Sequence, residues 1–308
     1  MNRFASCLIP VLSLLIVAGC GGGPSQANGQ RPKKYSLPEV PSMIQGDELR
    51  KEYLLTHYWD LVDFTDTTSF QKYSVEPFFR DYIVLVNSVD ADKSQKVITE
   101  FWKEKCPFGT PVSHYFISLF EKYLGNPNSP YRNDSNYIAF LRCMVGYYPA
   151  DSLDSRRYED KLTLELKNLP GTMAADLSLL SCNGSTFEQI SLHSLKSDYL
   201  LLYFNNPGCT DCQRVTSILS GQLAPILNQN GILVVSIYPD DDFEQFREYH
   251  LPSEWVKTID LQQQINLQQL YYLKAIPTLY LLDRDKRVVL RDCTVEQLYR
   301  LFVAQSHI

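Results

Sequence analysis

The sequence has no basic block, no internal repeat and few histidines, five in 308 residues. Lys and Arg number 29 against 35 Asp and Glu, a net charge of -6. An acidic chain without a basic stripe is a poor candidate for nucleic-acid binding. A membrane-spanning helix needs about 20 consecutive apolar residues, and no stretch reaches that length. There is one C-x-x-C, with no second one and no His pair at ligand spacing, so a zinc knuckle lacks donors. Eight cysteines are too few for a disulfide-dense scaffold. No metal and no cofactor is expected. What is present is a globular composition, 44% hydrophobic and 12% aromatic, in a length that suggests about two domains.

The N-terminus sets the expected compartment. Arg3 precedes an apolar run over 8–18, broken only by Pro10 and Ser13. Such a run is too short to span a bilayer and reads as a signal-peptide core. Val17-Ala18-Gly19-Cys20 resembles a bacterial lipobox, cut before Cys20 and lipidated on its thiol. The alternative is an ordinary signal peptide with a chance cysteine. Residues 1–19 are thus expected to be a lipoprotein signal peptide. Residues 20–36 read as a flexible tether rich in Gly, Pro, Ser, Gln and Asn. No acidic cluster follows Cys20, whereas lipoproteins of the Bacteroidetes type use one as a surface-export mark. This favours a periplasm-facing protein held to the membrane by lipid, where disulfides persist.

Residues 37–169 read as an all-α domain. Leu49, Tyr53, Leu54, Tyr58, Leu61 and Phe64 recur near a 3.6-residue period and predict a helix over 48–64. Further helices are expected over 95–102, 115–124 and 154–166. Gly125-Asn126-Pro127-Asn128-Ser129-Pro130 must stop a helix. Asp134 or Ser135 then caps the next one, through Ile138, Leu141 and Met144. Tyr58, Trp59, Phe78, Phe79, Tyr82, Trp102 and Phe116 read as a bundle core, with a groove for an apolar peptide or ligand as the alternative. His57 and His114 read as structural or surface residues. Cys106 and Cys143 are a candidate disulfide pair.

From Pro170-Gly171 the pattern changes, and residues 170–308 read as an α/β domain. Asn183-Gly184 predicts a hairpin between 175–180 and 186–190. Apolar runs over 199–204 and 231–238 suit buried strands, and 278–282 and 287–291 flank Asp283-Arg284-Asp285-Lys286. Helices are expected over 215–227, 242–249, 265–271 and 294–304. This alternation predicts a sheet with helices on both faces. Asp240-Asp241-Asp242 reads as a solvated, helix-capping loop rather than a cation site. Cys182 and Cys293 read as buried structural thiols, with a second disulfide as the alternative.

The chemistry is expected at Cys209-Thr210-Asp211-Cys212, a C-x-x-C that follows a buried strand and opens a helix. A helix N-terminus offers free amides and positive potential to a thiolate. Two intervening residues bring both sulfurs within one turn. The first cysteine stays accessible and attacks; the second resolves the mixed disulfide. Pro207-Gly208 ends the strand ahead of them. Ala275-Ile276-Pro277-Thr278 begins a later strand.

This order resembles the thioredoxin fold, in which a cis-proline faces the C-x-x-C. The resemblance makes Pro277 that proline and gives the Ile276 backbone the task of pairing with an extended substrate. A peroxiredoxin fits less well, because its P-x-x-x-T-x-x-C is missing. A C-x-x-x-C copper chaperone has one more residue between its cysteines. The second half is similar to TlpA-like thioredoxin domains, including the hairpin led by Ala175-Asp176-Leu177. The whole resembles a Bacteroidetes lipoprotein family that joins a helical domain of unknown function to a thioredoxin-like domain. Tyr58-Trp59-Asp60, Tyr123-Leu124, Asn128-Ser129-Pro130, Tyr203-Phe204, Cys209 to Cys212 and 276–283 carry that resemblance. The chain departs from the pattern at Gly208, where thioredoxin has Trp. Tyr203 stands where thioredoxin has a buried acid, and Val215 where TlpA-like reductases have Glu. Asp211 is the nearest acid and is expected to face solvent.

The expected fold class is therefore α+β in two domains, all-α followed by a thioredoxin-like α/β domain with an N-terminal β-hairpin. The expected activity is an extracytoplasmic thiol-disulfide oxidoreductase acting on protein thiols or disulfides with a separate redox partner. Cys209 is its nucleophile, Cys212 the resolving thiol, Ile276 and Pro277 the substrate-binding backbone, and Cys20 the lipidated residue. The alternative is a non-catalytic binding lipoprotein, whose helical domain captures a peptide or partner while the thioredoxin-like domain is a scaffold.

Overall fold

The computed structural model describes residues 35–106, 109, 111–184 and 186–305. The expected signal segment, Cys20 and most of the tether lie outside them. Seven helices come first: α1 Asp47–His57, α2 Thr67–Lys72, α3 Glu76–Val86, α4 Ala91–Glu100, α5 Pro111–Phe120, α6 Asp134–Tyr147 and α7 Leu153–Glu165. Four of them start on a side-chain cap. Asp66, Asp90, Asn133 and Ser152 each accept a hydrogen bond from the amide three residues on. The cap of α6 is thus Asn133, one residue ahead of the expected Asp134. The helix expected over 48–64 stops at His57, and Leu49 and Leu61 are exposed. Helix α3 was not anticipated from the sequence.

The aromatic residues fill the core of this half rather than lining a groove. Trp59 sits among Phe64, Phe78, Tyr82, Phe101 and Phe116, all with ring centres within 5.8 Å of its own. Such tilted and edge-on pairs add about 0.5–1.5 kcal/mol each beyond their buried area. Cys106 and Cys143 are free thiols, so the candidate disulfide between them is absent. Cys143 lies 4.0 Å from the Thr99 hydroxyl instead.

The second half is built on one seven-stranded mixed sheet. Its elements are β1 Ser178–Asn183, β2 Thr186–Ser191, β3 Tyr199–Phe204, α8 Thr210–Ser217, α9 Ala224–Gln229, β4 Ile232–Tyr238, α10 Phe243–Glu248, β5 Val256–Ile259, β6 Thr278–Asp283, β7 Val288–Leu290 and α11 Val295–Gln305. The strand order is β2-β1-β5-β4-β3-β6-β7. β3, β4 and β5 run parallel, and the outer pairings are antiparallel. Strand alternation splits the core in two. Leu201 and Tyr203 pack with α8, α9 and α11, while Leu200, Leu202 and Phe204 pack with Ile265, Tyr271 and Tyr280.

Four details differ from the sequence reading. Residues 265–271 are irregular, so that face of the sheet is covered by loop and not by a helix. Gln269 has a positive φ inside the segment and Gln263 just before it, which an α-helix does not contain, and the Asp260 carboxylate holds the start of the loop through the Ile265 amide at 2.8 Å and the Gln264 side chain at 3.1 Å. The first hairpin strand begins at Ser178 rather than 175. The helix expected over 215–227 is α8 from Thr210, a π-helical turn Ile218–Gln222, and α9. Strand β5, four residues with Lys257 inside, was not anticipated.

The two halves meet through buried charge. Lys274, just before β6, lies 2.8 Å from Glu165 of α7 and 3.0 Å from Asp134 of α6. Arg291, after β7, lies 3.0 Å from Glu165 and also donates to its carbonyl. The side chains of Lys274, Glu165 and Arg291 are 4%, 2% and 3% exposed. Burial pushes the Glu165 carboxyl up, with Lys274 offsetting part of that. At Asp134 burial also opposes the charge, but Lys274, Arg291 and Arg132 outweigh it and lower the pKa. A buried charge stripped of its partner is far more costly than an exposed one.

Glu165→Ala leaves Lys274 and Arg291 buried beside Asp134 alone. It should lower unfolding free energy by about 3–5 kcal/mol in urea denaturation. Arg300→Ala, which removes the exposed Glu296–Arg300 pair, should cost only about 0.5 kcal/mol or less. Equal losses in the two variants would contradict this account.

Candidate active site

β3 lies near the middle of the sheet and delivers the chain to the C-terminal edge, where parallel strands leave a crevice. Asn205 fixes the exit. Its fully buried side-chain amide donates to the Tyr203 carbonyl at 2.8 Å and to Ser236 on β4 at 2.7 Å. A turn follows, closed by the Cys209 amide on the Asn206 carbonyl at 3.2 Å. Gly208 has φ +83 in that turn, a conformation that a side chain strains. The Trp that thioredoxin carries there would need a different backbone.

Cys209 is the N-cap residue of α8, and its Sγ accepts a hydrogen bond from the Cys212 amide at 3.2 Å. Cys209 is half-buried and Cys212 is fully buried; both are free thiols. The two sulfurs therefore sit in contrasting surroundings one turn apart. Burial, with the contact to Cys209, pushes the Cys212 thiol up to about 12. Cys212 thus stays protonated near neutral pH until it is assisted.

No carboxylate stands beneath the pair at the positions singled out from the sequence. Tyr203 is buried there, and its hydroxyl donates to the Cys212 carbonyl at 2.7 Å and lies 3.1 Å from the Thr216 hydroxyl. Burial drives the Tyr203 phenol well above its ordinary range, so it remains neutral. Val215 is a buried apolar contact in the same cluster. Asp211 is exposed and pairs with Arg214 at 3.2 Å.

The expected substrate-binding residues come to the same place. The Ile276–Pro277 bond is cis, and Ile276 and Cys209 both pack on the cluster that contains Cys212, Val215 and Leu279. A cleft of about 850 Å³ opens beside them. Asp211 and Val215, Ile276 and Pro277, and Pro127 and Asn128 of the helical half line it. Cys293, read from the sequence only as a structural thiol, also lines it; burial pushes that thiol up to about 12. Cys182 is half-buried rather than buried.

The other sequence candidates have structural duties. Asp242 caps α10 through the Gln245 amide at 3.0 Å, and Asp240 accepts from Asn206 and Asn266. His57 bonds Asp60 at 2.7 Å. Among the described residues no group of three or more His, Cys, Asp or Glu is placed to hold a metal, and no helix is long and apolar enough to cross a membrane. The sequence reading missed Arg132, Glu165, Lys274 and Arg291 altogether. Only Lys274 carried a signal, as a single charge inside the apolar run 270–276, which calls for a buried partner.

Comparison with known proteins bears on the fold. Residues 20–168 match a family described as Domain of unknown function (DUF5106), and residues 197–288 match one described as Thioredoxin-like. The crystal structure of a thioredoxin-like protein from Bacteroides caccae is similar over both halves. It is 33% identical with a TM-score of 0.81, covering 89% of this chain and 99% of that one. A probable nucleoredoxin 1 of Arabidopsis thaliana is 30% identical over 132 residues, 40% of this chain and 23% of that protein. Nucleoredoxin of Homo sapiens is 30% identical over 123 residues, 39% of this chain and 28% of that protein. The chain thus spans about a quarter of the length of these two relatives.

The contrast between the two sulfurs has a direct readout. With all thiols reduced at pH 8, iodoacetamide should alkylate Cys209 at least ten times faster than Cys212, by peptide mass spectrometry. Comparable rates would show that Cys212 is neither shielded nor held protonated.

Proposed function

Because the chain belongs to the thioredoxin-like family, we propose that it is a thiol-disulfide oxidoreductase working through Cys209 and Cys212. The single observation that carries the reading is the sulfur of Cys209, accessible at the N-terminus of α8 and bonded by the Cys212 amide, with Cys212 buried behind it.

The exchange runs in two balanced steps. The Cys209 thiolate attacks one sulfur of a substrate disulfide; the substrate S–S bond breaks, a mixed disulfide forms, and one substrate thiolate leaves. Cys212 then loses its proton and attacks Cys209 Sγ. The Cys209–Cys212 disulfide forms, and the second substrate thiolate leaves and takes up a proton. The pair is oxidised by two electrons and the substrate reduced by two, so a dithiol partner must restore it. Run backwards, the same steps oxidise a substrate dithiol. Ile276 and Pro277 are the proposed backbone contact for the substrate.

The proposed setting is the periplasmic side of a membrane, with lipid on Cys20 as the anchor. The apolar run over 8–18 and the Val17-Ala18-Gly19-Cys20 sequence support it.

A competing reading makes the pair an inert structural element and the protein a binding lipoprotein. Tyr203 and Val215 favour it, since neither accepts a proton as a carboxylate would. The two readings differ in reduction potential: below roughly -300 mV for an inert disulfide, and higher for an exchanging one.

Reduction of insulin by dithiothreitol tests the proposal. The full-length protein should accelerate it, and Cys209→Ser should return the rate to the uncatalysed level; equal rates would sink the idea. Cys212→Ala should trap mixed disulfides through Cys209, seen as adducts that dithiothreitol dissolves.

A further inference from the structure

The turn over 126–132 joins the π-helical end of α5, Glu121–Gly125, to α6, and it reaches the thiol site from the helical half. We infer that this turn is the second wall of a groove holding the polypeptide that flanks a substrate cysteine, so that the helical half selects extended protein substrates. This inference rests on the thiol-exchange reading above.

The cleft's placement is the first support. Ile276 and Pro277 contribute from one half, Asp211 and Val215 come from α8, and Pro127 and Asn128 bring in the helical half. Neither Cys209 nor Cys212 lines it. It runs along the helix that carries them, past Asp211 and Val215, where chain on one side of a disulfide would lie.

The second support is rigidity. At Gly125 a Cβ would lie 2.5 Å from the Tyr137 ring, so the turn starts in close contact with α6. Asn126 Oδ1 accepts the Asn128 amide at 2.9 Å. Ser129 donates to the Tyr123 carbonyl at 2.6 Å and accepts the Tyr131 amide at 3.2 Å. Arg132 donates to the Asp292 carboxylate at 2.9 Å and to its carbonyl at 2.6 Å. A wall fixed in advance loses little conformational freedom on binding.

The third support is the chemistry of the lining. Its charges are matched: Arg214 with Asp211, Arg132 with Asp292, and Glu296 with Arg300. No bare charge is left to collect a small ion. The N–H and C=O of Ile276, by contrast, pair with no other backbone group among the described residues. An extended peptide supplies the complementary donor and acceptor. The Asn128 side chain is exposed and lines the same cleft, without a hydrogen-bond partner among the described residues.

The test compares a disulfide with flanking chain and one without. Pre-reduced full-length protein is mixed with insulin or with 2-hydroxyethyl disulfide. Second-order rate constants for oxidation of the Cys209–Cys212 pair are read by acid-quenched alkylation. Asn128→Trp places bulk in the cleft at an exposed turn position. It should lower the insulin to 2-hydroxyethyl disulfide rate ratio at least fivefold, and its rate with the small disulfide reports that it is folded. Met43→Trp, exposed and outside the cleft, should keep the parent ratio. A parent ratio in Asn128→Trp would overturn the groove. A parent protein inert toward both disulfides would overturn the thiol-exchange reading, and the groove with it.

Discussion

The buried charges at Glu165, Asp134, Lys274 and Arg291 are the constraint on which the geometry of this protein depends. Lys274 lies three residues before Pro277, so whatever holds Lys274 also holds the loop facing the thiol pair. Glu165 holds it at 2.8 Å from the end of α7. Arg291 ties the same carboxylate to the end of β7, and Arg132 ties the 126–132 turn to Asp292 next to it. An apolar contact of equal area would stabilise as much or more. It would not fix direction so narrowly, because dispersion and hydrophobic contact have no preferred angle. Charge matching thus specifies how the helical half stands against the sheet.

At the thiol pair, one turn of helix assigns two different surroundings. The cap position leaves Cys209 at the surface with an amide on its sulfur, while three residues on Cys212 is enclosed by the sheet and Tyr203. What is unusual is the floor of the site. A neutral phenol bonded to a carbonyl and a threonine takes the position of an acid. In the proposed exchange the Cys212 proton therefore meets hydroxyl oxygens and water instead of a carboxylate. Tyr249, half-buried and pushed up mainly by burial, is close to the Thr216 hydroxyl as well.

Much of the second half could be read directly. The apolar run of β3, the C-x-x-C after it, the Asn183-Gly184 turn and the Ile276-Pro277 step each encode a local event, and each has a local signature. The misses share a different cause. Residues 265–271 carry a helical spacing of apolar residues, yet Gln269 takes a positive φ inside the segment, which an α-helix does not contain. Strand β5 is too short to show a pattern and exists because β1 and β4 flank it. In the first half, α3 was missed and α1 overextended, because aromatic residues crowd turns and helices alike. The pairing within the charge network was illegible for a plainer reason. Its partners lie 126 and 140 residues apart, and no local spacing connects them.

That separation bears on how such a chain can be recombined. The helical half holds both acids of the network and the sheet half both cations. Two related proteins could exchange halves cleanly at the Pro170-Gly171 junction and still fail, if one had moved its charges to other positions. The graft would join two well-packed pieces and leave the buried Glu165 carboxylate without either of its cations, while Asp134 kept only Arg132. The two halves are therefore matched to each other by charge, and an exchange between relatives must keep positions 165, 274 and 291 compatible.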